Sequence, residues 1–170
     1  APLEKSIAQY RGLGFKAGTS VFHNRHFYVA EAYARLQQYR KADAAGKAHR
    51  LDQLRETLPE LRKAANVPVL RTHRWVIEAW LAWIDGNDRK AFRLLLRAEK
   101  EAKECDSPWG LFEAALLRAR ILVSRGNRGL ALHDARYALS LAAENGWAHR
   151  QRRVCEEFQL EAQIREAKRI

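Results

Sequence analysis

Few residues of this 170-residue chain have the types and spacing that chemistry needs. His23 and His26 lie three apart and can share a helix face, with Glu31 two turns beyond His23. Metal sites use such pairs together with a further carboxylate or His. Surface or groove-rim histidines are the plainer reading, and no metal is expected. Gly12-x-Gly14 with Lys16 could suggest a phosphate loop, but that motif needs a strand before it and a Lys-Ser/Thr pair at its end. Both are missing, which leaves an inter-helix linker. Cys105 and Cys155 have neither metal-type spacing nor a redox motif and read as reduced packing thiols. Glu156-Glu157 falls in a mostly charged segment and reads as solvated. There is no nucleophile-plus-base pattern and no catalytic Cys context. The chain is therefore expected to be non-catalytic and to need no cofactor.

Glu78 stands apart, because the run from Trp75 to Ile84 is apolar on every side except at this carboxylate. A carboxylate there is expensive unless paired. The expectation is a structural ion pair with an Arg of a neighbouring helix, Arg118 or Arg120. A pocket group with a raised pKa is the sharper alternative. The same apolar surround favours a core role over a groove role for Trp80 and Trp83.

The elements that must position these residues are helices. No segment alternates polar and apolar for long, and β-branched residues are scarce, so the fold class is all-α. A short helix over 2–11 is broken by Gly12, Gly14 and Gly18. Helices are then expected over Ser20–Gln37, with Val21, Phe27, Ala30 and Ala34 along one face, and over Lys41–Glu56. Gln38-Tyr39-Arg40 forms the turn between them. Thr57-Leu58-Pro59-Glu60 has the capping-box pattern and starts a short helix over 58–65. Pro68 opens a helix that runs to Asp85. Gly86 stops it and Asn87 caps the next, over Asp88–Glu104. Ser107-Pro108 starts another, ended by Gly126; Asn127 caps the one after, which stops at Asn145-Gly146. A last helix from Trp147 carries Arg150, Arg153, Glu157, Glu161 and Lys168 on a face expected to be solvated, as an end cap requires.

The net charge is +11, with 22 Arg against 9 Lys. The segment 1–66 carries 12 basic and 6 acidic side chains and holds over half of the excess. Such a balance favours acidic partners, with nucleic acid or a membrane surface among them. No apolar run is long enough to span a bilayer, and the segment 1–20 holds Glu4, Lys5, Arg11 and Lys16 but no apolar signal segment. A cytoplasmic protein is expected. The start of the chain looks like the second half of a lost hairpin, which suggests a piece of a longer chain.

The Gly-Asn turns carry a repeat. Trp75, Ala79, Ala91 and Ala98 stand at −11, −7, +5 and +12 from Gly86; Ala115, Ala119, Ala131 and Ala138 hold the same offsets from Gly126. This pattern resembles the tetratricopeptide repeat, in a longer form of about 40 residues similar to helical arrays of large bacterial signalling and regulatory proteins. The Pro that usually closes the repeat is missing, and Ala115 replaces the large first-position residue. A degenerate copy precedes, with Ala30, Ala42 and His49 at its small positions and Gln37 in place of the turn glycine.

The resemblance implies antiparallel hairpins stacked into a right-handed superhelix, a TPR-like α-solenoid. It would occupy one domain over 1–170, divided as 1–19, 20–66, 67–106, 107–146 and a cap at 147–170. It gives structural roles to Trp75, Ala79, Gly86, Asn87, Ala91, Gly126, Asn127 and Ala131, beside the one read above for Glu78. It places a partner-binding concave face on Asn24, Phe27, Glu31 and Arg35, on His73, Trp80 and Trp83, and on Glu113, Arg120 and Ser124. The implied function is a protein-interaction or regulatory scaffold that binds a peptide, a protein or another domain of its own polypeptide. A nucleic-acid-binding domain that uses the basic surface is the alternative.

Overall fold

The computed structural model describes residues 2–160, and among them there is no strand. Nine helices follow in order within those residues: α1 Pro2–Gly12, α2 Phe22–Lys41, α3 Ala44–Glu56, α4 Leu58–Ala64, α5 Pro68–Ile84, α6 Asp88–Glu104, α7 Pro108–Ser124, α8 Arg128–Glu144 and α9 Ala148–Phe158. None of them is long and apolar enough to cross a membrane.

From α5 onward the chain keeps strict time. Helices α5 to α8 have 17 residues each. Their first residues and that of α9, Pro68, Asp88, Pro108, Arg128 and Ala148, are evenly spaced. One turn does this four times. A residue in the left-handed region stops each helix: Gly86, Asp106, Gly126 and Gly146, with φ of 75°, 48°, 74° and 67°. The N–H of the next residue then reaches back to the carbonyls of Ala82, Ala102, Leu122 and Ala142 at 2.8–2.9 Å. That bond satisfies helix-end carbonyls that would otherwise lack partners. The side chains of Asn87, Ser107 and Asn127 then accept from the backbone N–H of Lys90, Gly110 and Leu130. Asp106 holds the place of a glycine, which is why the period visible in the sequence is twice that of the backbone.

Helix α5 packs on α6, both pack on α7, α7 packs on α8, and α8 on α9, while α2 lies against α3, α4 and α5. Small residues let the helices approach: Ala79, Ala91, Ala98, Ala119, Ala131 and Ala138 are fully buried. Gly110 marks the tightest approach. A Cβ there would lie 2.3 Å from the Thr72 methyl of α5, 3.1 Å from Ser107 Oγ and 3.3 Å from the Ala102 Cβ. Two apolar cores result. One joins α2, α4, α5, α6 and part of α7; the other joins the remaining face of α7 to α8 and α9.

The segment before Pro68 departs from expectation. Helix α2 runs through Gln38-Tyr39-Arg40 to Lys41, because nothing there favours a left-handed residue. The break comes at Ala42-Asp43, where the Asp43 carboxylate accepts from Gly46 N–H at 2.8 Å. The face of α2 turned to the core carries Tyr28, Val29, Ala32 and Leu36, while Val21 and Ala30 are exposed. Helix α3 buries only Leu54, and His49 is exposed, so the expected small positions of a first hairpin make no close contact. The capping box does not form. Thr57 has helical backbone angles and its hydroxyl donates to Leu54 O at 2.7 Å, while Glu60 pairs with Lys63. Glu78 is paired, but with Arg62 of α4 at 2.8 Å and Arg74 one turn away at 3.6 Å. Its face of α5 looks to α4, not α7. Arg118 instead joins Asp134 and Glu99, and Arg120 joins Glu157.

Candidate partner-binding face

Three helices end side by side, and their last turns build the site. Arg40 of α2, Trp80 of α5 and Arg120 of α7 stand at equal intervals along the chain and come together. The two guanidinium carbons lie 5.3 and 5.5 Å from the Trp80 ring centroid, within cation–π reach of the indole. Trp80 itself is 4% exposed. Trp83 packs on it at 5.2 Å between centroids and reaches the surface. With Tyr39, Ile84, Val123 and Phe158 these rings wall an open cavity of about 500 Å³, with Lys47 and Ser124 at its edge. The Ser124 hydroxyl is engaged by Ile121 O at 2.8 Å.

Helix α9 closes one side, and it does so with charge. Arg120 donates two hydrogen bonds to the Glu157 carboxylate, at 2.5 and 2.7 Å. Arg40 stands 4.0 Å from the same carboxylate. Burial alone would raise the Glu157 pKa; the Arg120 hydrogen bonds and the charges of Arg120, Arg40 and Arg153 outweigh it, and the carboxyl is held below its ordinary value. The cations feel each other in return. Burial, then Arg120 and Arg153, brings Arg40 down to about 10, still charged at neutral pH. Burial and Arg120 also lower Arg153. The outer face expected of the last helix is thus occupied. Arg150 lies 4.5 to 5.3 Å from the centroids of Trp147, Trp109 and Phe112, and Glu157, though exposed, is an ion-pair partner. Glu161 and Lys168 lie outside the described residues.

Of the ten residues assigned to the face by resemblance, four line this cavity: Trp80, Trp83, Arg120 and Ser124. His73 and Glu113 sit about two turns deeper. His73 is 2% exposed, its Nδ1 is 3.1 Å from the Tyr33 hydroxyl, and Trp109 lies 4.2 Å from its ring. Burial, helped by positive neighbours, brings its pKa to about 3, so it is neutral. Glu113 accepts from Trp109 Nε1 at 3.2 Å. Trp75 is half-buried at the α6 side, its indole donating to Glu101 and its ring beneath the Arg74 guanidinium at 3.8 Å.

The remaining four, Asn24, Phe27, Glu31 and Arg35, are covered by α1. This helix runs antiparallel to α2. Arg35 binds Glu4, Arg11 binds Glu31 at 3.0 Å, Tyr10 stacks on Phe27 at 3.7 Å, and the Tyr10 hydroxyl donates to Asn24 O at 2.5 Å. Glu31 is therefore committed to Arg11, and His26 packs edge-on against Phe22. Among the described residues no group of three His, Cys, Asp or Glu side chains is placed to hold a metal ion.

Arg40 is absent from the face that the resemblance assigns, and in the sequence it stands out only as part of the basic Arg40-Lys41 cluster that favours the nucleic-acid alternative. The signal is present: the interval from Arg40 to Trp80 equals that from Trp80 to Arg120. A turn expected at Gln38–Arg40 takes it out of the helix and hides the match. Comparison with protein-family models, with curated proteins and with solved structures returns no match to this chain.

Proposed function

We propose that the chain is a non-catalytic interaction module of the tetratricopeptide type. It holds a peptide or protein partner on the face where α2, α5 and α7 end, and serves a larger signalling or regulatory protein. The observation that carries this reading is the cavity walled by Arg40, Trp80 and Arg120, one residue each from α2, α5 and α7. An open apolar basin with aromatic walls and a few directional cations suits a side chain of a peptide or protein. Two further observations support it. The packing order of α5 to α9 is the one that stacked hairpins require. The equivalent surface of α2 already holds a helix, α1, by an aromatic stack and two ion pairs.

A site-specific photo-crosslinker tests the reading. Placed at Val123, on the cavity wall, it is expected to capture a discrete partner from an extract of cells that make the protein. At Leu96, exposed on α6, it is expected to capture none. Capture from Leu96 alone would place binding on the basic face of α6 around Lys90, Arg93 and Arg97 and favour the nucleic-acid alternative.

A further inference from the structure

The cavity has a second chamber. Beyond Arg40 lies a hollow of about 300 Å³ lined by Gln37, Arg40, Lys41, His149 and Arg153, with no carboxylate in its wall. Arg40 is the partition between this hollow and the aromatic basin. Its donors are unspent: among the described residues neither Arg40 nor Arg153 donates a hydrogen bond. Glu157 does not meet the need, since both its oxygens are taken by Arg120 and Arg40 stands 4.0 Å off. Arg40, Arg120 and Arg153 thus converge around Glu157, with Glu113 the only other carboxylate among the described residues that acts on Arg40 and Arg153. Like charges held this close repel; burial first, and then this repulsion, holds the pKa of Arg40 and of Arg153 below the ordinary value. A second anion between Arg40 and Arg153 would relieve it.

We infer that the face takes an acidic peptide segment, with an aliphatic or aromatic side chain in the Trp83–Phe158 basin and a neighbouring Asp or Glu carboxylate on Arg40 and Arg153. This rests on the interaction reading above and names the chemistry of the partner. Carboxylate is the anion the site already accommodates, in the two-pronged geometry of Arg120 with Glu157. The chambers adjoin, so a charged and an apolar side chain of one peptide can fill both. Nucleic acid fits less well. A base needs an open aromatic face to stack on, whereas Trp80 is almost fully buried and lies beneath two guanidinium groups.

The test is a selection from random dodecapeptides displayed on phage, run on the whole 170-residue chain and on the double variant Arg40→Gln/Arg153→Gln. Neither arginine donates a hydrogen bond among the described residues, and loss of the Arg40 contact with Trp80 is offset by relief of the repulsion among the cations, so the variant is expected to stay folded with a melting temperature close to that of the unaltered chain, which circular dichroism checks. The unaltered chain is expected to enrich peptides with Asp or Glu beside Leu, Phe or Trp. The best of them, made synthetically, should lose about tenfold or more in affinity on the double variant, and equally when its carboxylates become amides. Selected peptides without acidic enrichment, or ones that bind the double variant equally, would overturn the acidic inference and leave the peptide reading standing. A selection that yields nothing, alongside tight binding of an oligo-dT strand abolished in the double variant, would overturn both.

Discussion

The two halves of this molecule obey different rules. From Pro68 to Glu144 every helix has 17 residues, and every turn is the same. Before Pro68 the helices have 11, 20, 13 and 7 residues, and their junctions differ. The regular half holds its helices by small buried residues and a left-handed turn that ends each helix at a fixed place. The irregular half holds α1 by side-chain tips, through Ile7, the Tyr10–Phe27 stack and the Glu4–Arg35 and Arg11–Glu31 pairs. Close backbone packing makes a scaffold whose parts cannot move alone, whereas contact through side-chain tips lets one element leave while the rest stays folded. The candidate face straddles the seam, with Arg40 from the irregular half and Trp80 and Arg120 from the regular one.

The largest effect should therefore come from the regular half. Leu117 is fully buried between α7 and its neighbours, and Leu117→Ala is expected to cost about 2–5 kcal/mol of global stability by urea denaturation. Ile7→Ala in α1 should act locally instead, with hydrogen exchange quickening in α1 and the Phe27 face of α2 while α5 to α8 keep their protection. Global loss of protection with Ile7→Ala would break the comparison. Next in size is Gly110→Ala, expected to cost about 1–3 kcal/mol through overpacking against Thr72. Adding Thr72→Ser removes the methyl that the new Cβ meets and should restore part of the loss.

A residue at the junction of the two halves contributes to the acid limb of stability. His73 has a folded pKa of about 3 against an ordinary value near 6.5. Its folded value is depressed, so its stabilising contribution is complete above pH 6.5 and is lost as pH falls towards 3. The loss should reach about 2 kcal/mol by about pH 5. His73→Gln should flatten that stretch of the stability–pH profile; an unchanged slope would show that His73 is not held neutral. The smallest effect is a gain. Asp106 occupies a left-handed position that its three counterparts fill with glycine. Asp106→Gly should add about 0.5–1 kcal/mol, read as a raised melting temperature.

How much of this is legible in the sequence follows the same seam. Gly86-Asn87 and Gly126-Asn127 mark the ends of four helices from sequence alone, and with them the burial of Ala79, Ala91, Ala131 and their companions. Where neither a glycine nor a Ser-Pro start marks the turn, the register is lost. Helix α2 is expected to stop at Gln37 but runs on to Lys41, and the first-copy face is expected on Asn24, Phe27, Glu31 and Arg35. Carrying the repeat interval back from His73, Val76 and Trp80 gives Tyr33, Leu36 and Arg40 instead, the residues that meet His73, enter the core and stand over Trp80. Partners across helices are beyond reach for another reason. Arg62 with Glu78, or Glu157 with Arg120, depends on how two helices distant in sequence are set against each other; the apolar stripe of Val154 and Phe158 marks the core face of α9 but does not name the partner of a carboxylate beside it.

The central claim is that a partner binds where α2, α5 and α7 end. The chain has five tryptophans, and their indole N–H groups report from separate places: Trp80 and Trp83 at the cavity, Trp75 against α6, Trp109 beside His73, and Trp147 beneath Arg150. Titration of the ¹⁵N-labelled chain with a peptide or partner captured on this face measures all five at once. The account predicts that the Trp80 and Trp83 signals shift as binding saturates, while those of Trp75 and Trp147 stay in place. Saturable shifts at Trp75, with Trp80 and Trp83 unmoved, would contradict it.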